Sequence, residues 1–121
     1  MMVDVGKNVD QEKLYVLWTS GDREVALSMV LMYTLHAKTN GWWEDVCLII
    51  WGSSAKLVSQ DEELQGRVIQ MIEGGVEVVA CVACAQMFGA TKILESLGVI
   101  VKPMGDPLTQ LLKEGKTILT I

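Results

Sequence analysis

The sequence predicts an α/β fold in which helices cover both faces of a five-stranded parallel sheet. Apolar runs of strand length alternate five times with segments of helical periodicity. The inner runs are apolar at nearly every position, which is typical of parallel strands buried on both faces. No apolar run approaches the eighteen or so residues that cross a bilayer, so no membrane span is expected.

The expected elements follow from the apolar runs and from the turn residues between them. Strands are expected at 14–18, 46–51, 76–81, 99–101 and 117–121. Helices are expected at 23–39, 55–73, 84–97 and 107–114, where glycine ends three of them and Asn-Gly ends the first. Residues 1–11 are expected to form a flexible tail, and residues 12–121 a single domain.

Composition excludes some classes of function. The net charge is −5, and the ten Lys and Arg residues form no basic stripe, so direct binding of nucleic acid is not expected. The first residues lack the apolar core of a signal peptide, which predicts a cytoplasmic protein. The three cysteines of such a protein are expected to be reduced thiols.

Cys81 and Cys84 are the candidate catalytic residues. They lie where the third predicted strand ends and a helix begins, at the sheet edge where open α/β folds usually keep their chemistry. A helix N-terminus favours a thiolate, and a spacing of three residues brings both sulfurs to one side of a turn. The pair would suit thiol–disulfide exchange or carriage of a persulfide.

Plainer interpretations of this Cys-x-x-Cys motif compete with the functional one. Buried cysteines are often packing residues. A zinc site needs four ligands, whereas Cys47 is expected inside a strand and His36 is the single histidine, so no metal is expected. A thioredoxin-like motif would follow the first strand of its fold. No Lys, Arg or His lies between Val78 and Thr91, so any positive partner must come from elsewhere. The motif alone leaves both roles open.

Several short motifs occur in a characteristic order along the chain. They are the segment 75–85, Gly89, Leu97-Gly98-Val99, Met104-Gly105, Leu108, Leu111-Leu112, Gly115 and the terminal strand. Together with the opening strand, its polar loop and the long helix after it, they resemble the DsrE/DsrF-like (YchN-like) sulfur-relay superfamily. The resemblance covers the chain from about Lys13 to Ile121.

The resemblance implies a three-layer α/β/α sandwich, Rossmann-like or flavodoxin-like, with five parallel strands, assembled into trimers or hexamers. It implies that Cys81 accepts sulfane sulfur as a persulfide and passes it to another sulfur-carrier or sulfurtransferase protein, in sulfur oxidation, sulfur reduction or transfer-RNA thiolation. Cys84 stands where some members have a second cysteine and others alanine or serine, so it is a candidate assisting thiol. No cofactor is implied.

Two further groups of residues are candidates for binding. Trp42 and Trp43 are adjacent, so at least one is expected to be exposed in a monomer and to serve as an oligomer contact. A possible pocket rim lies after the first two strands, at Trp18, Thr19, Ser20, Gly52 and Ser53. The first of these loops lacks Gly-x-Gly-x-x-Gly, which argues against a nucleotide site.

Three functions remain open at the level of the sequence. The first is a sulfur-relay protein, which would act either as a sulfurtransferase or as a sulfur carrier. The second is a non-catalytic, oligomeric binding or assembly module with structural cysteines. The third is a dithiol oxidoreductase that uses a Cys81–Cys84 disulfide.

Overall fold

A computed structural model describes residues 12–121 and contains one five-stranded, all-parallel sheet of order β4-β3-β2-β1-β5. The predicted α/β fold with a parallel sheet is therefore confirmed. The predicted tail, residues 1–11, lies outside the described residues. The strands are β1 (Lys13–Trp18), β2 (Asp45–Ile50), β3 (Glu77–Cys81), β4 (Ile100–Lys102) and β5 (Thr117–Thr120).

The first helical stretch is unbroken, with a π-helical segment at Ala26–Val30 between α1 (Arg23–Val25) and α2 (Leu31–Thr39). The other helices are α3 (Ser53–Gln60), α4 (Glu62–Glu73), α5 (Val82–Met87), α6 (Thr91–Ser96) and α7 (Gly105–Lys113). Within the part of the chain that the structure describes, no helix is long and apolar enough to cross a membrane.

Two predicted helices were wrong, because each is divided in two. The helix expected at 55–73 breaks at Asp61, which has extended backbone (φ −127°, ψ 108°). Its carboxylate accepts a hydrogen bond from the Leu64 N–H at 3.1 Å and so caps α4. The helix expected at 84–97 breaks at Gly89, whose φ of +64° lies in the left-handed region that glycine adopts at little cost.

The strand order decides which helices cover each face of the sheet. Right-handed crossovers place α1 to α6 on one face and bring the chain back across the other through α7 alone. The first face is tightly packed, and Val16, Trp18, Leu48 and Ile50 on it are fully buried. The second face is lightly covered, since α7 contains no buried residue.

The strand order reverses direction between β1 and β5, the position where such sheets usually bind a ligand. Here the chain itself occupies that crevice. The N–H groups of Thr19 and Ser20 both donate to the carbonyl oxygen of Ile121, at 2.7 and 3.2 Å, and the Thr19 hydroxyl donates to it at 3.0 Å. The amides after β1 are thus already bonded within the protein.

Candidate cysteine site

Cys81 and Cys84 lie where the sequence predicted them. Cys81 is the last residue of β3 and the N-cap of α5, with extended backbone (φ −69°, ψ 119°). Cys84 follows in the first turn of that helix. Their exposed fractions are only 6% and 9%, and both are free thiols. The pair is therefore nearly enclosed, at the carboxyl edge of the sheet.

The side chains of Cys81 and Cys84 share a hydrogen bond, and the backbone N–H of Gly52 donates one to the Cys84 sulfur. Burial raises the pKa of the Cys84 thiol, the hydrogen bond from Gly52 opposes that change, and the contact with Cys81 adds to it. Cys84 thus retains its proton at neutral pH.

Sequence reasoning missed Ser54, which holds the loop that carries Gly52. Ser54 is fully buried, and its hydroxyl oxygen lies 2.6 Å from the Trp18 carbonyl and 3.0 Å from the Trp51 carbonyl. It also accepts from the Trp51 N–H at 3.1 Å. The only sequence signal is a Gly-Ser-Ser turn after a buried strand, a pattern too common to indicate this role.

The residues predicted to form a pocket rim do not all face one pocket in the structure. Trp18 is fully buried, so its side chain packs in the core and does not line an open rim, because the strand alternation turns it toward the helices. Ser53 is exposed and lines an open groove of about 310 Å³ with Gly21, Lys56, Leu57 and Gln60. A Cβ on Gly21 would lie 3.0 Å from the Cβ of Ser53, so glycine permits these two loops to meet.

The positive partner that is absent from the Cys81 segment is present on the neighbouring strand. Lys102 of β4 stands opposite Cys81 in the parallel register. Strands in such a pair are about 4.8 Å apart, and paired residues face the same side of the sheet. Among the described residues Lys102 has no ion-pair partner, so its charge is available at this edge.

A second groove, of about 300 Å³, lies between α7 and the lightly covered face of the sheet. Lys13 and Glu77 form an ion pair of 3.1 Å at this groove. Its other lining residues are Tyr15, Cys47, Ile49, Val79, Lys102, Met104, Pro107, Gln110 and Leu111. This groove has polar groups around an apolar floor, the usual character of a small-ligand site.

Cys47 also lines this groove, and its thiol stays protonated near neutral pH. It is buried inside β2, as the sequence predicted, and burial next to Glu77 raises its pKa to about 12. Residues 12–121 contain no group of three or more His, Cys, Asp and Glu residues arranged to hold a metal ion. The candidate chemistry of the cysteines therefore rests on Cys81 and Cys84.

The two tryptophans after α2 differ in exposure, as expected for adjacent residues. Trp42 is 58% exposed, and its ring centroid lies 5.9 Å from that of Tyr33. Trp43 is half-buried, and its backbone N–H donates to the Ala37 carbonyl at 3.2 Å. The prediction that at least one tryptophan is exposed in the monomer is confirmed, and Trp42 is that residue.

The parallel sheet, with a cysteine pair at its carboxyl edge, defines a small α/β protein with a candidate thiol site. The DsrE/DsrF-like family model matches residues 12–121, and the chain belongs to this family. It is also similar to the conserved protein of unknown function BT1422 from Bacteroides thetaiotaomicron, at 40% identity and a TM-score of 0.89, over 91% of this chain and 95% of that one. Of the curated proteins compared with the chain, none matches.

Proposed function

We propose that this protein is a sulfur-relay protein that accepts sulfane sulfur as a persulfide on Cys81 and passes it to a partner. The observation that carries the proposal is the position of Cys81 at the end of β3 and at the N-cap of α5, opposite Lys102 on the neighbouring strand. Membership of the DsrE/DsrF-like family, whose resemblance implies sulfur relay, supports it.

The loading step is a nucleophilic displacement. The Cys81 sulfur attacks the terminal sulfur of a polysulfide, a sulfur–sulfur bond of the donor breaks, and the shortened polysulfide leaves with its electron pair. Such a donor is an anion, and Lys102 stands beside Cys81 to attract it. The low exposure of the two thiols would then shield the persulfide from water and from other thiols.

The second candidate is a non-catalytic binding or assembly module, and a specific observation favours it. The groove beneath α7 has the size and lining of a small-ligand site, and neither Cys81 nor Cys84 lines it. In this alternative the cysteines are packing residues, consistent with their burial.

As part of the relay function we propose that the protein forms an oligomer and works with partner proteins in the cytoplasm. Trp42 is a large apolar side chain left exposed beside Tyr33, and such residues often anchor interfaces. We assign Trp42 and the adjacent, half-buried Trp43 to a contact between copies of the chain in a trimer or hexamer. The partners are cytoplasmic sulfur-carrier or sulfurtransferase proteins.

The loading experiment uses Cys84→Ser, which keeps the Cys81 thiol and removes its neighbour. After exposure to inorganic polysulfide and removal of the excess, intact-protein mass spectrometry should show a gain of roughly 32 Da, one sulfur atom. The double variant Cys81→Ser/Cys84→Ser is the matched control and should gain nothing. Equal gains in both proteins, or no gain in either, would exclude Cys81 as the acceptor and favour the binding module.

A further inference from the structure

The arrangement of the two thiols limits what can happen to a persulfide on Cys81. Cys81 is the N-cap of α5 and Cys84 lies in its first turn, so three residues separate two side chains on one side of a turn. Their sulfurs are already in hydrogen-bond contact in the reduced protein. A persulfide formed on Cys81 would therefore have the Cys84 sulfur next to its inner sulfur atom.

Burial raises the pKa of the Cys84 thiol overall, and one contact acts in the opposite direction. The Gly52 backbone reaches its sulfur with a hydrogen bond, and hydrogen bonds donated to sulfur favour the thiolate form. This donor depends on a backbone (φ +67°, ψ −135°) that side chains rarely allow, and Ser54 ties the same loop to the end of β1. The loop thus places a fixed N–H against one particular sulfur.

The third thiol of the chain is too far away to take this part. Cys47 pairs with Glu77, and Glu77 lies four residues before Cys81 on the same strand. At about 3.3 Å per residue this places Cys47 on the order of 13 Å from Cys81. Among the described cysteines, Cys84 is the one in reach of a persulfide on Cys81.

Resting on the relay function proposed above, we propose that Cys84 resolves the Cys81 persulfide within the same chain, releasing hydrogen sulfide and leaving a Cys81–Cys84 disulfide. The Cys84 sulfur attacks the inner sulfur, the persulfide bond breaks, and its electron pair leaves with the terminal sulfur. That sulfur departs as sulfide and takes up a proton from solution, which balances the proton that Cys84 releases on forming the attacking thiolate. Overall, the two cysteine thiols supply the two electrons that reduce sulfane sulfur to sulfide.

This step makes the protein a sulfane-sulfur reductase as well as a carrier. The disulfide must be reduced before another turnover, and a dithiol is the class of reductant that does so by exchange, becoming a disulfide itself. The protein then has two outcomes for one persulfide, transfer to a partner or release as sulfide. Which outcome dominates depends on how fast the partner binds relative to the attack by Cys84.

The test compares wild type, Cys84→Ser and Cys84→Ala after one exposure to inorganic polysulfide at pH 6, removal of the excess and a jump to pH 8. Wild type should release one equivalent of sulfide and end about 2 Da lighter than the reduced protein, as a monomeric disulfide that dithiothreitol reverses. Both variants should keep the roughly 32 Da of added sulfur and release sulfide at least tenfold more slowly. Cys47→Ala should behave as wild type, and circular dichroism checks that each variant is folded.

The outcomes separate the two proposals. If the Cys84 variants load sulfur and wild type keeps its added mass equally long, the resolving step is overturned and the carrier function stands. If no protein with Cys81 intact ever gains sulfur or forms the disulfide, the carrier function fails as well. A disulfide that forms only between two chains would also overturn resolution within one chain.

Discussion

The hydroxyl oxygen of Ser54 lies 2.6 Å from the carbonyl oxygen of Trp18, which joins the start of α3 to the end of β1 across 36 positions of sequence. The same hydroxyl accepts from the Trp51 N–H, so the loop after β2 is fixed at its first residue. Gly52 follows directly and donates to Cys84. Ser54, which lies outside the cysteine motif, therefore fixes the loop whose Gly52 N–H reaches Cys84.

Replacing this serine should cost stability. Ser54→Ala removes a buried hydroxyl that donates to the Trp18 or Trp51 carbonyl and accepts from the Trp51 N–H, although the Trp51 N–H keeps its 3.0 Å bond to the Trp18 carbonyl. The free energy of unfolding in urea titrations should fall by about 1–3 kcal/mol. Ser96→Ala is the matched control, because its hydroxyl bonds the Ile93 carbonyl at the surface. It should change stability by less than about 0.5 kcal/mol. Equal losses in the two variants would contradict this account.

Release of sulfide from the loaded protein should accelerate as the pH rises. The attacking form is the Cys84 thiolate, and burial raises the pKa of that thiol. Below that pKa each pH unit increases the thiolate fraction by up to about tenfold, so the single-turnover rate should climb between pH 7 and pH 9. Cys84→Ser should show a slow and flat profile. A rate that is independent of pH in wild type would mean that Cys84 is not the attacking group.

Cys47 should make the fold less stable at alkaline pH. Its folded pKa is about 12, against an ordinary value of 9.0, so between these values the unfolded chain binds fewer protons than the native one. Stability therefore falls as the pH rises above 9, by at most about 1.4 kcal/mol per pH unit, and the thiol has no such effect at lower pH. Cys47→Ala should lower stability at neutral pH by removing buried contacts, but its stability should fall less steeply between pH 9 and pH 10.5. If the stability of wild type and of Cys47→Ala falls equally steeply with pH, Cys47 is not the group responsible.

Lys102 should matter for loading from an anionic donor. In Lys102→Met, removing the charge opposite Cys81 should slow persulfide formation from polysulfide by several-fold, and added salt should slow wild type more than the variant. Lys102→Arg keeps the charge and should retain most of the rate. If the methionine and arginine variants load equally fast, the charge of Lys102 plays no part.

Trp42→Ala should weaken the proposed assembly. Trp42 is 58% exposed in the single chain, and burial of such a ring against another copy would supply much of the binding free energy. Sedimentation velocity at micromolar concentration should show wild type as a trimer or hexamer and the variant shifted toward monomer. Met87→Ala removes another exposed apolar side chain, 73% exposed on α5, and should leave the assembly unchanged. Identical sedimentation of wild type and Trp42→Ala would remove Trp42 from the interface.

The elements that the sequence predicted well are those defined by continuous apolar runs. All five strands exist, because residues such as Val46 to Ile50 can be buried only between two layers. The two helix breaks were missed because the residues at the breaks can either continue a helix or end it, and nearby contacts decide which. Asp61 is an acceptable helix residue that becomes a cap once its carboxylate meets the Leu64 N–H and the Arg23 side chain at 2.6 Å.

The sequence by itself determined the strand–helix alternation, the place of Cys81 at a strand end and the burial of Cys47, since hydropathy and spacing act along the chain. The tertiary structure decided which groups surround the cysteine pair. Lys102 reaches this edge through strand order, and Gly52 and Ser54 reach it through a loop more than twenty-five residues earlier in the chain. Contacts of this kind depend on register and crossover handedness, which bring distant residues together without leaving a periodic signal in the sequence.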